Sequence, residues 1–104
     1  MSEPLTSTKG LAPGDVVIVS VELRDKRTGN PYRWKRFCAV IGKPINRRFV
    51  TLLTLKMRPE ERDLREVDVT KDVVVKLPED QWPQGVIAMR MKLIMQNVIK
   101  LGDV

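Results

Sequence analysis

Histidine is absent from the 104-residue sequence, and cysteine occurs only once. Without histidine the protein has no imidazole acid–base catalysis, none of the usual catalytic triads and few routes to a transition-metal site. A single cysteine, Cys38, excludes an intramolecular disulfide and a cysteine-rich zinc site. Since its neighbours Phe37, Ala39 and Val40 are apolar, we predict a buried thiol in preference to a nucleophile.

Long apolar runs are also missing. No run approaches the ~18 residues of a membrane span, and the first ten residues, MSEPLTSTKG, are polar without a signal-peptide core. We therefore expect no membrane partner and a cytoplasmic location. A hydrophobic content of 42% in 104 residues supports one core, so we predict a flexible leader at 1–9 and a single domain at 10–104.

Positive charge is concentrated in the first half of the chain. Residues 1–50 hold ten Lys or Arg and four Asp or Glu, whereas residues 51–104 hold nine of each. Residues 24–36 include one acidic residue and six basic ones, which are Arg24, Lys26, Arg27, Arg33, Lys35 and Arg36. Such asymmetry favours a polyanion-binding face, with nucleic acid the commonest partner, although a solvated basic face is the simpler alternative.

Short β-branched and apolar runs predict a mainly β fold. Strands are expected at 16–23, 34–41, 49–55, 65–69 and 73–75. A basic loop at 24–32 and a turn at 42–44 separate the first three, which predicts a β-meander. Five or six short strands with only short helical turns indicate a small closed or half-open barrel, because closure removes exposed edges.

The segment 86–101 is ambiguous between strand and helix. Its residue types favour a helix with a stripe formed by Ile87, Met91, Ile94, Val98 and Leu101. Its alternation over 87–93 fits a strand, and no N-cap residue precedes it. We predict a strand at 86–93 followed by a turn or short helix at 95–101, with the methionines filling the core and a dimer interface.

A series of short motifs resembles a known family over most of residues 13–101. In order they are Gly14 to Val19, a basic loop, Lys35 to Ile41, a strand ending at Leu53-Thr54, Glu66 to Val69, and Gly85-Val86-Ile87. Together they resemble the MazF/PemK family of toxin endoribonucleases. The resemblance implies an SH3-like barrel, a homodimer, cleavage of single-stranded RNA without a metal or other cofactor, and inhibition by an antitoxin protein.

The resemblance also implies two catalytic residues. Arg36 matches the family's catalytic arginine and Thr54 its catalytic threonine or serine. Family members usually follow the arginine with proline, where this sequence has Phe37, and many end in a longer helix that the predicted strand and turn would not supply. An arginine suits the chemistry, because RNA provides its own 2′-hydroxyl nucleophile and the protein must stabilise charge on the phosphorane. Without the family resemblance, the simpler interpretation is that Arg36 is a solvated residue at the end of a strand and that Thr54 is an ordinary β-forming residue of the sheet.

Aromatic and basic residues beside Arg36 form the candidate RNA-binding set. Tyr32 and Trp34 alternate with basic residues, which suits base stacking beside phosphate contacts, although Trp34 fits barrel packing equally well. The full set is Arg24, Lys26, Arg27, Tyr32, Arg33, Trp34, Lys35, Arg47, Arg48 and Lys56. Three functions stay open at this point: an RNA-cleaving toxin, a non-catalytic nucleic-acid-binding module, and a protein whose basic loop docks an acidic partner.

Overall fold

A computed structural model of the protein describes residues 3–101. Over this range the chain forms five strands, two short 3₁₀ helices and one α-helix. The strands are β1 (Val16–Arg24), β2 (Pro31–Val40), β3 (Phe49–Thr54), β4 (Leu64–Asp68) and β5 (Val73–Lys76). The 3₁₀ helices are Pro59–Glu61 and Glu79–Gln81, and the α-helix α1 is Gln84–Met95.

The five strands make one antiparallel sheet in the order β4-β3-β2-β1-β5. The first three strands form the predicted meander, since β1 pairs with β2 and β2 with β3. In the described part of the chain no pairing joins β4 to β5, so the sheet is open. The predicted mainly β fold is confirmed, whereas a closed SH3-like barrel stays a prediction.

Alternation along the strands buries one face of the sheet as the main core. Valine and leucine side chains from all five strands meet there because every second residue of a strand points to the same side. The buried members are Leu11, Val17, Val19, Cys38, Val40, Val50, Leu52, Val67, Val69 and Val74. The other face of β2 and β3 forms a smaller core around Ala39 and Leu53.

Helix α1 covers that second face, so the strand predicted at 86–93 is wrong. The residues buried by the helix are Val86, Met89 and Leu93, spaced three and four apart, and the last two pack with Ala39 and Leu53. Good helix formers and an apolar sheet face to cover together outweigh the alternation that suggested a strand. The buried face of the helix also differs from the stripe that the sequence suggested, because Met91 belongs to that stripe and is 50% exposed.

A capped turn ends α1 and brings the chain back to the core. Asn97 takes a positive φ of 60°, and the N–H groups of Val98 and Ile99 donate to the carbonyl of Leu93 at 2.9 and 3.3 Å. This is the left-handed residue that often ends helices. The turn predicted within 95–101 therefore exists, and it buries Ile99.

The segment before Gly10 is attached to the sheet from Leu5 onward. The N–H of Leu5 donates to the carbonyl of Val74 in β5 at 2.7 Å, and the N–H of Thr8 donates to the carbonyl of Arg47 at 2.9 Å. Leu5 also packs against the main core. The predicted leader 1–9 therefore includes a segment that joins edge strand β5 to the connection before β3, while residues 1 and 2 lie outside the described range.

Candidate nucleic-acid interface

The β1–β2 hairpin extends beyond its neighbouring strands. Its pairing runs to Leu23↔Tyr32 and Arg24↔Pro31, whereas β5 reaches only as far as Ser20 and β3 pairs only with 38–40. Residues 21–34 therefore form a two-stranded ribbon, here called the hairpin ribbon. The loop predicted at 24–32 is shorter than expected, because only residues 25–30 lie between the strands.

Most of the predicted RNA-binding residues lie on or beside the hairpin ribbon. The exposed ones are Arg24, Lys26, Arg27, Tyr32, Arg33 and Lys35. Arg24 donates from its guanidinium to the carbonyl of Gly29 at 3.0 Å, which ties it to the hairpin tip. A shallow cleft of about 230 Å³ lies along the ribbon, lined by Glu22, Pro31, Tyr32 and Arg33.

Strand alternation divides the aromatic and basic residues of β2 between two faces. Tyr32, Trp34 and Arg36 share one face, and Arg33 and Lys35 share the other. The first face is that of buried Cys38 and continues into the main core. A row of two aromatic rings and one guanidinium thus leads from the ribbon toward the end of the sheet.

Arg36 and Thr54 lie in one cleft at that end of the sheet. The register pairs Cys38 with Thr54, so Arg36, two residues before Cys38, falls on the same face and beyond the end of β3. A cleft of about 360 Å³, here called the Arg36 cleft, is lined by Trp34, Arg36, Thr54, Lys56, Glu60, Glu61 and Asp63. The structure therefore brings together four of the sequence-predicted site residues, which are Trp34, Arg36, Thr54 and Lys56.

The indole of Trp34 contacts two guanidinium groups. The Cζ atom of Arg36 lies 5.1 Å from the ring centroid, and that of Arg65 lies 4.9 Å from it. Arg65 comes from β4, on the far side of β3 from β2, so the ring connects two strands that are not neighbours. Arg65 was missed in the sequence. Its alternation with Val67 and Val69 could have placed it on the core face of the strand.

Thr54 is buried, and its hydroxyl is already hydrogen-bonded within the protein. It accepts a hydrogen bond from the N–H of Asp63 at 2.6 Å and donates to the carbonyl of Glu61 at 3.5 Å. The residue is only 3% exposed. In this arrangement Thr54 fixes the connection between β3 and β4, which carries the acidic wall of the Arg36 cleft.

Cys38 is the buried thiol that its neighbours predicted. It is 2% exposed, and burial raises the pKa of the thiol to about 12, although the charges of Arg65 and Arg36 act in the opposite direction. A thiol with so high a pKa carries almost no thiolate at neutral pH and is a poor nucleophile. Cys38 therefore packs beneath the cleft.

Arg47 and Arg48 lie away from the Arg36 cleft. They precede Phe49 at the start of β3, and Thr54 is at the other end of that strand, about 17 Å away for a strand of this length. Arg48 forms an ion pair with Asp68 and has its Cζ 5.2 Å from the ring centroid of Phe49. Its guanidinium therefore has an acidic partner of its own.

The interaction with Arg48 organises the end of β4. Its hydrogen bond lowers the pKa of Asp68 well below the usual range, and a hydrogen bond from Thr70 acts in the same direction. The Asp68 carboxylate also accepts hydrogen bonds from the N–H and hydroxyl of Thr70 at 2.9 and 2.6 Å. We assign Arg48 a part in holding this turn together.

Comparisons with known proteins found no match for this chain. No protein-family model matches the chain, and neither the curated proteins nor the solved structures give a match. The resemblance to the MazF/PemK family therefore stays a prediction. Across residues 3–101 no helix is long and apolar enough to cross a membrane, and no cluster of three His, Cys, Asp or Glu side chains is placed to hold a metal ion.

Proposed function

We propose that the protein is an endoribonuclease that cleaves single-stranded RNA without a metal ion. The observation that carries the proposal is the placement of Arg36 and Thr54, eighteen positions apart in the sequence, in one cleft beside the Trp34 ring. A row of aromatic rings leads into this cleft, as expected for a site that stacks unpaired bases.

The proposed reaction is attack of an RNA 2′-hydroxyl on the adjacent phosphorus. The 2′-oxygen–phosphorus bond forms and the phosphorus–5′-oxygen bond breaks, leaving a 2′,3′-cyclic phosphate and a 5′-hydroxyl. Arg36 donates to the phosphorane oxygens, where negative charge increases most. Arginine stays protonated at neutral pH, so the proton of the 2′-hydroxyl passes to another base. The leaving 5′-oxygen takes a proton from water, and the hydroxide that results takes up the proton held by that base.

The cleft supplies carboxylates for that proton. Glu60, Glu61 and Asp63 line it together with the basic residues, and a carboxylate within reach of the 2′-hydroxyl is a suitable base in a chain without histidine. Thr54 takes a positioning part in this scheme, because its hydroxyl holds Asp63 in place. A homodimer, an antitoxin partner and a cytoplasmic location belong to the same proposal and derive from the family resemblance and the composition.

The test is cleavage of a mixed-sequence single-stranded RNA in the presence of EDTA. We expect products with cyclic-phosphate ends from the wild-type protein and none from Arg36→Gln. Lys92→Gln is the control, because it removes one exposed positive charge on α1, outside the candidate RNA-binding set. Undiminished cleavage by a folded Arg36→Gln variant would contradict the proposal.

A non-catalytic nucleic-acid-binding module is the second candidate. It is favoured by the engaged hydroxyl of Thr54 and by the exposed basic residues of the hairpin ribbon. Such a module would bind single strands with a steep salt dependence and form no product. Failure to bind any oligonucleotide at low salt would instead favour a basic protein that docks an acidic partner.

A further inference from the structure

Arg65 presents its guanidinium beside Arg36, the residue proposed to act on the scissile phosphate. It is exposed on β4, and its Cζ lies 4.9 Å from the centroid of the Trp34 ring. Neither Arg65 nor Arg36 forms an ion pair with another residue in the range 3–101. Two positive groups thus lie near one ring, and no carboxylate of the described residues forms an ion pair with either.

Trp34 fixes the relative position of these two charges. Each guanidinium carbon lies about 5 Å from the same ring centroid, so the two carbons are at most about 10 Å apart. A guanidinium carries five N–H donors; one of those of Arg36 donates to the carbonyl of Lys35 at 2.8 Å, and the others can donate to a phosphate. Because the side chains are already ordered by the ring, less rotamer freedom is lost when they bind a phosphate.

Both charges also act at the floor of the Arg36 cleft. The positive charges of Arg65 and Arg36 each favour the ionised form of the Cys38 thiol, against the larger opposing effect of burial on its pKa. The two guanidinium groups therefore act on the same point under the cleft. Asp63 acts on the same thiol in the opposite direction, so the pair of guanidinium groups is the part of this site that attracts an anion.

We propose that Arg65 binds the RNA phosphate next to the scissile one, with Trp34 contacting both Arg65 and Arg36. The inference rests on the proposed function in taking single-stranded RNA as the ligand. It assigns Arg65 to substrate positioning, with no part in the bond-making step. Arg36 acts on the phosphate that reacts and Arg65 on its neighbour.

The experiment measures binding of a short 2′-O-methyl single-stranded oligonucleotide, which cannot be cleaved, as a function of salt. Arg65→Gln should weaken binding about tenfold, the effect of losing one charged hydrogen-bonding group. It should also reduce the slope of log affinity against log salt by about 0.7, the value for one phosphate contact on a single strand. Arg65→Lys should keep the slope and bind more weakly than wild type, because lysine keeps the charge and loses the planar stack.

Lys92→Gln is the control, because Lys92 is exposed on α1 and is not one of the candidate RNA-binding residues; it should change affinity and slope clearly less than Arg65→Gln does. Wild-type affinity and slope in Arg65→Gln, or an equal loss in Lys92→Gln, would overturn the proposal. The probe cannot be cleaved, so the result does not depend on catalysis. If natural RNA is not cleaved and the effect of Arg65→Gln persists, the endoribonuclease is disproved and the phosphate site stands. If RNA is cleaved, Arg65→Gln should raise KM at unchanged kcat, whereas Arg36→Gln should lower kcat.

Discussion

Thr54 and Asp63 are joined by two hydrogen bonds. The N–H of Asp63 donates to the Thr54 hydroxyl at 2.6 Å, and the N–H of Thr54 donates to the carbonyl of Asp63 at 3.0 Å. Together they close the base of the connection between β3 and β4, from which Lys56, Glu60 and Glu61 enter the Arg36 cleft. One buried hydroxyl therefore sets the position of an entire cleft wall.

We predict that Thr54→Val lowers the free energy of unfolding by about 0.5–1.5 kcal/mol, because the N–H of Asp63 loses its side-chain acceptor. Thr54→Ser keeps the hydroxyl and should recover most of this loss. Urea unfolding of the three proteins measures the difference. Equal stability of Thr54→Val and wild type would show that the hydroxyl does not hold the connection.

Helix α1 allows a comparison of two methionines in the same element. Met89 is 2% exposed and Met95 is 78% exposed. Met89→Ala should therefore cost about 2–5 kcal/mol of unfolding free energy, through lost burial and a cavity against the sheet. Met95→Ala, the matched control, should change it by less than about 0.5 kcal/mol. Similar losses at both positions would contradict the packing of α1.

The sequence was sufficient for the strands but not for this helix. Val19, Val21 and Leu23 alternate with the polar residues Ser20 and Glu22, and such a period of two identifies a strand by itself. In 86–93 the same alternation occurs by coincidence within a helix. The deciding factor is the apolar outer face around Ala39 and Leu53, and the sequence cannot show that this face needs a cover.

The site was only partly predictable for a similar reason. Arg36 and Thr54 were selected by resemblance, and the register Cys38↔Thr54 explains why they share a cleft. Alternation could have placed Arg65 on the core face of β4, but its contact with a ring on β2 reaches across β3. A contact between strands that are not neighbours depends on the packed sheet, and the local sequence does not predict it. The ion pair of Arg48 was not predictable from the sequence either, because its partner Asp68 lies twenty positions further along the chain.

The ion pair of Arg48 with Asp68 predicts a pH dependence of stability. The pKa of Asp68 is lowered in the folded protein, so the folded state favours the ionised carboxylate. The stabilisation is present above the unfolded pKa, about 3.9, and is lost as the pH falls through the lower folded pKa. Wild type should therefore exceed Arg48→Gln in urea midpoint above about pH 4, and the gap should narrow at lower pH. A gap that stays constant with pH would show that the pair does not contribute through this ionisation.

Cys38 makes a prediction at the other end of the pH scale. Burial raises its pKa to about 12, so above about pH 8.5 the unfolded chain ionises this thiol and the folded protein does not. Its contribution to stability is present below that pH and is lost as the pH rises toward 12. Stability should fall more steeply over this range in wild type than in Cys38→Ala.

Alkylation of Cys38 at pH 8 should be slow in the native protein and fast in denaturant. Rapid alkylation of the native protein would contradict the burial of this thiol.

The hairpin ribbon predicts where a bound single strand extends beyond the Arg36 cleft. Lys26 and Arg27 are exposed at its tip, far from the core, so replacing both with glutamine should leave the urea midpoint unchanged. If each contacts one phosphate, the salt slope for a long single strand should fall by about 1.4, while a strand too short to reach the tip should bind as before. Weaker binding of the long strand alone would indicate contact at the tip. A general loss of positive charge would instead weaken the binding of both strands alike.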